Sequence, residues 1–412
     1  MFYLWPLQDS LRQHVEVLTG LASRVSSVGW GLDLTAGCAD ILYAGQTLQL
    51  AGERWLAQAL GSPPLRVPKA SSRPCLERRH QAFLKRLEGD KLNPVPPLPP
   101  AAYEHLHYRR DWEQAALPWA AFSLLQTDGD KFQAFTSRNA CCVAAMLRHA
   151  VAEVAQAAGW PEENIQRMVQ GHAEKRGEEK HRSVGQSRFA YVPLPNLEPR
   201  RRDGPASHPG MIRRALIYIP QAGHSDKIAW LRRAFPGCEL VEEGAKEPDT
   251  LVSLIPQNDR VAVRYAPLDG ASVWATVTPL VLPGNVDRKQ DLQRLRNCQD
   301  AGRKRILLSY REQRIDALIR KAVLHAGFSS TLAEHALIDW RKVGYWPGAE
   351  RVDRYRIPRH LRKFPTFHVR IAWRDAQGNP AILPGPLVLG AGRFCGLGLF
   401  AAEDDFSSSG HL

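Results

Sequence analysis

Apolar residues recur at helical spacing over residues 8–27, where Leu11, Val15, Leu18, Leu21, Ala22 and Val25 share one face ahead of Gly29. Residues 33–43 predict strands around Gly37, residues 54–60 a short element, and residues 65–68 an extended piece. A basic helix is expected over 74–87. It is followed by Asn-Pro-Val-Pro-Pro-Leu-Pro-Pro at 93–100, whose prolines make a stiff, extended linker and mark a domain boundary. Tyr108, Arg109 and Arg110 then set a ring beside two guanidiniums.

Beyond the linker the pattern changes to strands alternating with helices. Residues 119–126 predict a strand, 134–158 a long helix, 188–194 and 212–219 two strands, and 226–235 a helix. That order, β-α-β-β-α, is the order of a ferredoxin-like unit. It recurs loosely: a strand over 274–282, a helix over 305–326 with Ile315, Leu318, Ile319, Ala322 and Val323 on one face, and strands over 337–345 and 367–373 separated by a basic insert at 351–363. The pattern therefore predicts an α+β protein with tandem ferredoxin-like domains over 101–265 and 266–412, preceded by an N-terminal module over 1–100.

The chain closes on residues 385–400, Gly-Pro-Leu-Val-Leu-Gly-Ala-Gly-Arg-Phe-Cys-Gly-Leu-Gly-Leu-Phe. Two strand-like runs flank Gly390, Gly392, Gly396 and Gly398, with Arg393 among them. Glycines this dense tolerate positive φ and close approach of other backbone. Successive free N–H groups in such a turn make an anion-binding concavity, and an arginine beside it suits phosphate. No Gly-Lys-Ser/Thr ends the loop, so it is not a P-loop. With 14 residues left after Gly398 there is no room for the helix and further strand of a dinucleotide fold.

Charge and cysteine content narrow the function. Of 412 residues, 55 are Lys or Arg against 42 Asp or Glu, a net charge of +13 that favours a polyanionic partner, nucleic acid ahead of a membrane surface. Seven cysteines without paired spacing support neither a disulfide framework nor a zinc site, and point to a reduced cytosol. The opening Met-Phe-Tyr-Leu-Trp-Pro lacks a basic n-region and is not a signal peptide. No apolar run reaches membrane-spanning length.

Reactive groups are sparse. There is no Gly-x-Ser-x-Gly, no His-Glu-x-x-His and no clustered Asp pair, so neither a metal nor another cofactor is expected. The 14 histidines remain. His172 and His181 share one polar loop with Lys175, Arg176, Lys180 and Arg182, and His208 stands in a similar turn. An imidazole among cations holds its proton weakly and serves as a base near neutral pH, while the cations stabilise charge developing on a phosphate. Metal-free RNA cleavage needs that combination. His149, His325 and His335 sit on helix patterns as packing or surface residues, and His368 is an alternative on a basic strand. Phosphate contacts are expected from Arg182, Arg188, Arg201, Arg359, Arg362 and Lys363, together with Arg393 and the four glycines.

Several motifs together resemble one family. They are Glu-Arg-Arg-His-Gln-Ala-Phe-Leu at 77–84 with Pro-Val-Pro-Pro-Leu at 94–98, the Gly171-His172 loop leading to Tyr-Val-Pro-Leu-Pro at 191–195, and the glycine-rich stretch at 385–400. The chain is similar over nearly its whole length to the fused subunit of type I-G (I-U) CRISPR effector complexes. In that family a module like the one that caps the guide's 5′ handle is joined to one like the repeat-cleaving endoribonuclease. The resemblance implies a tandem ferredoxin-like fold of the RNA-recognition-motif type, repeat processing and retention on the mature CRISPR RNA, and the metal-free route expected from the histidines would leave a 2′,3′-cyclic phosphate. The resemblance also implies assembly with backbone and large subunits, with target DNA an indirect partner, and a histidine near the first helix as the acting residue. Residues 1–7 match an internal position of the family's first module, so an opening strand and helix are expected to be missing. A non-catalytic RNA-binding scaffold is the alternative. A DNA-binding subunit would carry the same charge, but no helix-turn-helix is evident, and backbone-directed RNA recognition suits a glycine loop and basic strands better.

Overall fold

A computed structural model describes residues 9–24, 38, 40–42, 55–58, 65–87, 92–97, 99–110, 112–114, 116–172, 185–198, 208–242, 244–245, 247–267, 269–287, 293 and 296–403. The chain divides into two compact units, Met1–Trp55 and Leu56–Leu412. In the first, the helical pattern gives two short helices, α1 (Asp9–Arg12) and α2 (Val15–Ala22), separated at Gln13-His14. The strands expected over 33–43 lie almost wholly outside the described residues.

A short strand, Trp55–Gln58, precedes β1 (Leu65–Pro68), helix α3 (Ser72–Leu84) and β2 (Tyr103–Arg110), with β1 and β2 antiparallel. The Pro-rich stretch lies inside the second unit. Two larger antiparallel sheets follow. The first contains β3 (Trp119–Leu125), α4 (Ala140–Ala157), β4 (Ala190–Pro195), β5 (Met211–Tyr218), α5 (Ser225–Ala234) and β6 (Thr250–Ile255). Its strands lie in the order β4-β5-β3-β6. The second contains β7 (Val273–Thr276), α6 (Ala301–His325), α7 (Ser330–His335), β8 (Leu337–Arg341), β9 (Thr366–Ala372) and β10 (Phe400–Ala402), in the order β8-β9-β7-β10. Ordered along the chain, each sheet is second-third-first-fourth.

The structure moves several expected boundaries. Residues 135–136 pair with β5 and residues 137–139 form a 3-10 turn, so α4 begins at Ala140 rather than 134. The strand expected over 274–282 is interrupted by Pro279, which lacks the N–H a ladder needs, and resumes only as Leu280–Val281. β6 joins the first sheet against β3 from Leu125↔Leu251 to Ala121↔Ile255, and Glu239–Leu240 pairs on its outer side.

Both faces of the first sheet are covered, which explains why β3 and β4 are continuous apolar runs rather than alternating ones. Phe122, Leu124, Tyr191 and Ile217 meet α4 and α5 through Val143, Leu147, Val151, Ile228 and Leu231. On the other face Trp119, Ala121, Val192, Leu216 and Tyr218 meet Val277, Val388, Leu399 and Ala401. The second sheet covers its far face with α6, through Ile315, Ile319 and Val323 against Trp274, Val369 and Ile371. The Asp300 carboxylate caps α6 by accepting from the amides of Gly302 (2.7 Å) and Arg303 (3.1 Å).

His368 is buried in β9 and both ring nitrogens have partners. Nε2 donates to the Glu350 carbonyl at 2.9 Å, and Nδ1 lies 3.1 Å from the Thr276 hydroxyl, which itself accepts the Val369 amide at 2.8 Å. A carbonyl only accepts, so Nε2 carries a proton. Burial pushes its pKa down to about 4, against the partial offset of these hydrogen bonds. Between pH 6.5 and about 4 the unfolded imidazole therefore binds a proton that the folded one does not. Stability is complete above that window and falls as pH drops through it, by on the order of 3 kcal/mol. Urea unfolding at pH 7 and pH 4 should show His368→Asn less stable than the parent at pH 7, with a drop on acidification smaller by roughly that amount. An equal drop in both would mean that His368 is not the titrating group.

Candidate nucleic-acid interface

The glycine-rich stretch joins the two sheets. Val388 and Leu399 bridge to each other, Leu389 donates to the Gly398 carbonyl (2.9 Å), and Phe400 enters β10. Gly396 has φ +74°, and a Cβ there would stand 2.7 Å from the carbonyl oxygen of Ala140, the first residue of α4. Gly390 has φ +91° and comes as close to the Val281 carbonyl. Side chains are excluded at both positions by backbone on the other side. The loop's amides turn inward as well: Ala391 donates to Val281 (2.9 Å), Cys395 to Gly392 (2.8 Å), Gly398 to Pro279 (3.0 Å) and Leu399 to the Thr278 hydroxyl (3.0 Å). Gly390, Gly392, Gly396 and Gly398 are all buried. Their structural role is close packing, and the part of the loop that faces outward is Arg393-Phe394.

Around that pair the structure gathers cations from three elements. The Arg188 guanidinium, just before β4, lies 3.6 Å from the centre of the Phe394 ring, and that of Arg393 lies 4.9 Å from it. Arg188 Nη1 donates to the Gly171 carbonyl (3.1 Å). Arg393 donates to the carbonyls of Gly390 (3.3 Å) and His325 (3.2 Å), and the Gln186 amide donates to that same His325 oxygen (2.7 Å). Burial lowers the Arg188 pKa, and the neighbouring charges of Arg393 and Arg148 lower it further. Burial likewise lowers that of Arg393. Both stay protonated at any physiological pH. Among the described residues neither has a carboxylate partner. His325, at the C-terminal end of α6, has its pKa lowered by burial and by Lys321 and Arg393, so its exposed imidazole is a neutral base at pH 7.

The basic insert lies against the same loop. Val352, Tyr355 and Leu361 are buried, and Tyr355 and Leu361 pack with Leu397 and Val281. Arg359, Arg362 and Lys363 remain exposed on the other side. Glu350 fastens the insert to the start of α4 through Arg138 (2.6 Å) and pairs with Arg354 (3.0 Å). Those contacts, the Arg138 hydrogen bond first, hold its carboxyl below the usual range.

His172 borders this seam: its amide donates to the Gln166 carbonyl (2.8 Å), and the preceding residue, Gly171, receives Arg188. His181, Arg182 and Arg201 lie outside the described residues. His208 does not join His172. It stands at the turn into β5, where Met211 donates to its carbonyl (3.2 Å), while Arg188 precedes the far end of the β4–β5 pair. β4 has six residues, which sets the two ends about 17 Å apart. His149 pairs with Glu153 (3.3 Å) on an exposed helix face, and His368 is held in the core. His325, Gln186 and Arg148 are the contributors that sequence patterns missed. Each sits in a helix or loop with no motif of its own, and only the packing of three distant segments brings them together. Among the described residues, no group of three or more His, Cys, Asp or Glu could hold a metal, and no helix is long and apolar enough to cross a membrane.

A family model described as CRISPR-associated protein, GSU0054 family, matches residues 1–402. No curated protein matches the chain.

Gly396→Val should lower the unfolding free energy by more than the roughly 1–3 kcal/mol of a strained φ, because its side chain also meets the Ala140 carbonyl. Arg393→Ala, which gives up two carbonyl contacts longer than 3 Å, should change stability by about 1 kcal/mol or less. Urea titration of both variants checks the contrast; equal effects would remove the packing role assigned to Gly396.

Proposed function

The chain belongs to the CRISPR-associated GSU0054 family, and on that premise we propose that it binds CRISPR repeat RNA, cleaves it without metal and remains on the processed guide. In this reading it is the fused 5′-handle-binding and repeat-cleaving subunit of a type I-G effector complex, associated with that complex's backbone and large subunits. The two larger sheets are its tandem ferredoxin-like domains. Their shared second-third-first-fourth strand order supports that assignment, with the loop before β10 standing where the second unit's last helix would be.

The observation that carries the reading is the arginine seam at the glycine loop, without a carboxylate partner among the described residues, flanked by an exposed basic insert and bordered by two histidines. Arg188, Arg393, Arg359, Arg362 and Lys363 supply the phosphate contacts. A histidine at the seam, His172 or His325, takes the proton of a 2′-hydroxyl. The 2′-oxygen then forms a bond to the adjacent phosphorus, the bond from phosphorus to the 5′-oxygen breaks, and that oxygen takes up a proton. The products are a 2′,3′-cyclic phosphate and a 5′-hydroxyl. The guanidiniums stabilise charge on the phosphoryl oxygens as it develops.

Affinity for repeat RNA should fall steeply with salt. If about five phosphates are neutralised, the log–log slope should be roughly −3.5; a slope near zero would rule out a phosphate-tracking surface. In single-turnover assays with EDTA present, His172→Ala or His325→Ala should slow cleavage on the order of 10²–10⁴-fold with binding nearly unchanged. Full activity in both variants moves the proton transfer to His181, outside the described residues, or to His208. RNA bound tightly and never cleaved by the parent leaves a non-catalytic scaffold, and cleavage abolished by EDTA refutes the metal-free route.

A further inference from the structure

Three buried polar atoms at the seam have no hydrogen-bond partner: Nε of Arg188, Nε of Arg393 and Oε1 of Gln186. They belong to side chains that already converge. Gln186 and Arg393 donate to one carbonyl oxygen, that of His325, and Arg188 and Arg393 share the Phe394 ring. Two unmatched donors and one unmatched acceptor in the same place are an uncommon arrangement, since buried polar atoms in folded proteins are almost always paired. Two guanidiniums sharing one ring face, with the Arg393 charge lowering the Arg188 pKa and no carboxylate partner for either among the described residues, are a second departure.

One chemical group answers both. A phosphate is the acceptor that two arginines lack, and a hydroxyl beside it is the donor that an amide oxygen lacks. We infer that Gln186, Arg188 and Arg393 form a ribose-phosphate subsite, in which the guanidiniums hold one phosphate and the Gln186 oxygen accepts the 2′-hydroxyl of the adjoining ribose. The three atoms are covered in the free protein. On binding, the side chains therefore turn outward and leave carbonyl contacts of 2.7–3.3 Å at Gly171, Gly390 and His325 for stronger charge-assisted bonds. Phe394 offers its ring face to both guanidiniums during that turn. The consequence goes beyond RNA affinity. Gln186 becomes the residue that tells ribose from deoxyribose, because the 2′-hydroxyl is the group by which a protein makes that distinction. The inference rests on the RNA-binding reading above.

The test uses the full chain with fluorescently labelled repeat RNA and DNA of the same sequence, read by anisotropy. Gln186→Leu should weaken RNA binding about fivefold and leave DNA binding unchanged, so the RNA-to-DNA ratio falls by that factor. Arg188→Gln and Arg393→Gln should weaken both ligands and each reduce the magnitude of the salt slope by about 0.7. Arg393→Lys, which keeps the charge but loses the fork, guards against misfolding and should retain the slope; circular dichroism establishes the fold of each variant. An unchanged RNA-to-DNA ratio in Gln186→Leu, with the parent binding RNA well, overturns the subsite and leaves the RNA-binding reading standing. A parent chain that fails to bind RNA overturns both.

Discussion

The structure depends on one apolar layer, the contact between the inner faces of the two larger sheets. Trp119, Ala121, Leu216 and Tyr218 on one side meet Val277, Val388, Leu399 and Ala401 on the other. Apolar burial contributes roughly 25 cal/mol per Å², and here it does so for residues that would otherwise face water on two sheets at once. The layer closes only if the stretch before β10 runs between Val281 and the start of α4, with its backbone against theirs. Gly390 and Gly396 supply the close approach, and both take left-handed φ. A glycine-rich sequence is thus a packing requirement first. Its surface chemistry follows from where the packing leaves Arg393 and Phe394.

That placement explains the electrostatics of the seam. Arg188 is delivered by the segment entering β4, Arg393 by the loop, and the carbonyl of His325 by the last residue of α6. Among the described residues these elements bring no carboxylate to either guanidinium, and on the basic insert Glu350 is engaged with Arg138 and Arg354, and Asp353 with Arg351. Partly buried guanidiniums held by carbonyls and one aromatic face are under-satisfied relative to an ion pair. A site of that kind favours an incoming anion because the desolvation has already taken place on folding.

The basic insert shows the same logic on a larger scale. Its buried residues, Val352, Tyr355 and Leu361, anchor it, two of them directly to the loop cluster that contains Leu397, so its charged residues are carried on a fixed support. Arg359, Arg362 and Lys363 are therefore held near the loop without an acidic partner among the described residues. The fold turns a run of charge in the sequence into a surface with a position.

Much of this was legible in the chain. The apolar runs of β3, β4 and β5, the one-sided face of α6, the α+β order of elements and the glycine cluster all follow from local pattern, because strand and helix periodicities are properties of neighbouring residues. The net charge of +13 pointed to a polyanion on the same ground. β6 was missed as a strand, and its place beside β3 is a long-range pairing that periodicity does not encode. Nor does local pattern distinguish a glycine loop whose amides face a ligand from one whose amides face Val281 and Pro279. The histidines mark the limit most plainly. His172 and His208 share a polar setting in sequence and lie at opposite ends of one strand pair. His325 is an ordinary helix residue by pattern, yet it borders Arg393. Which side chains meet is decided by sheet order and by the apolar layer, interactions between residues hundreds of positions apart, and only the tertiary structure contains them.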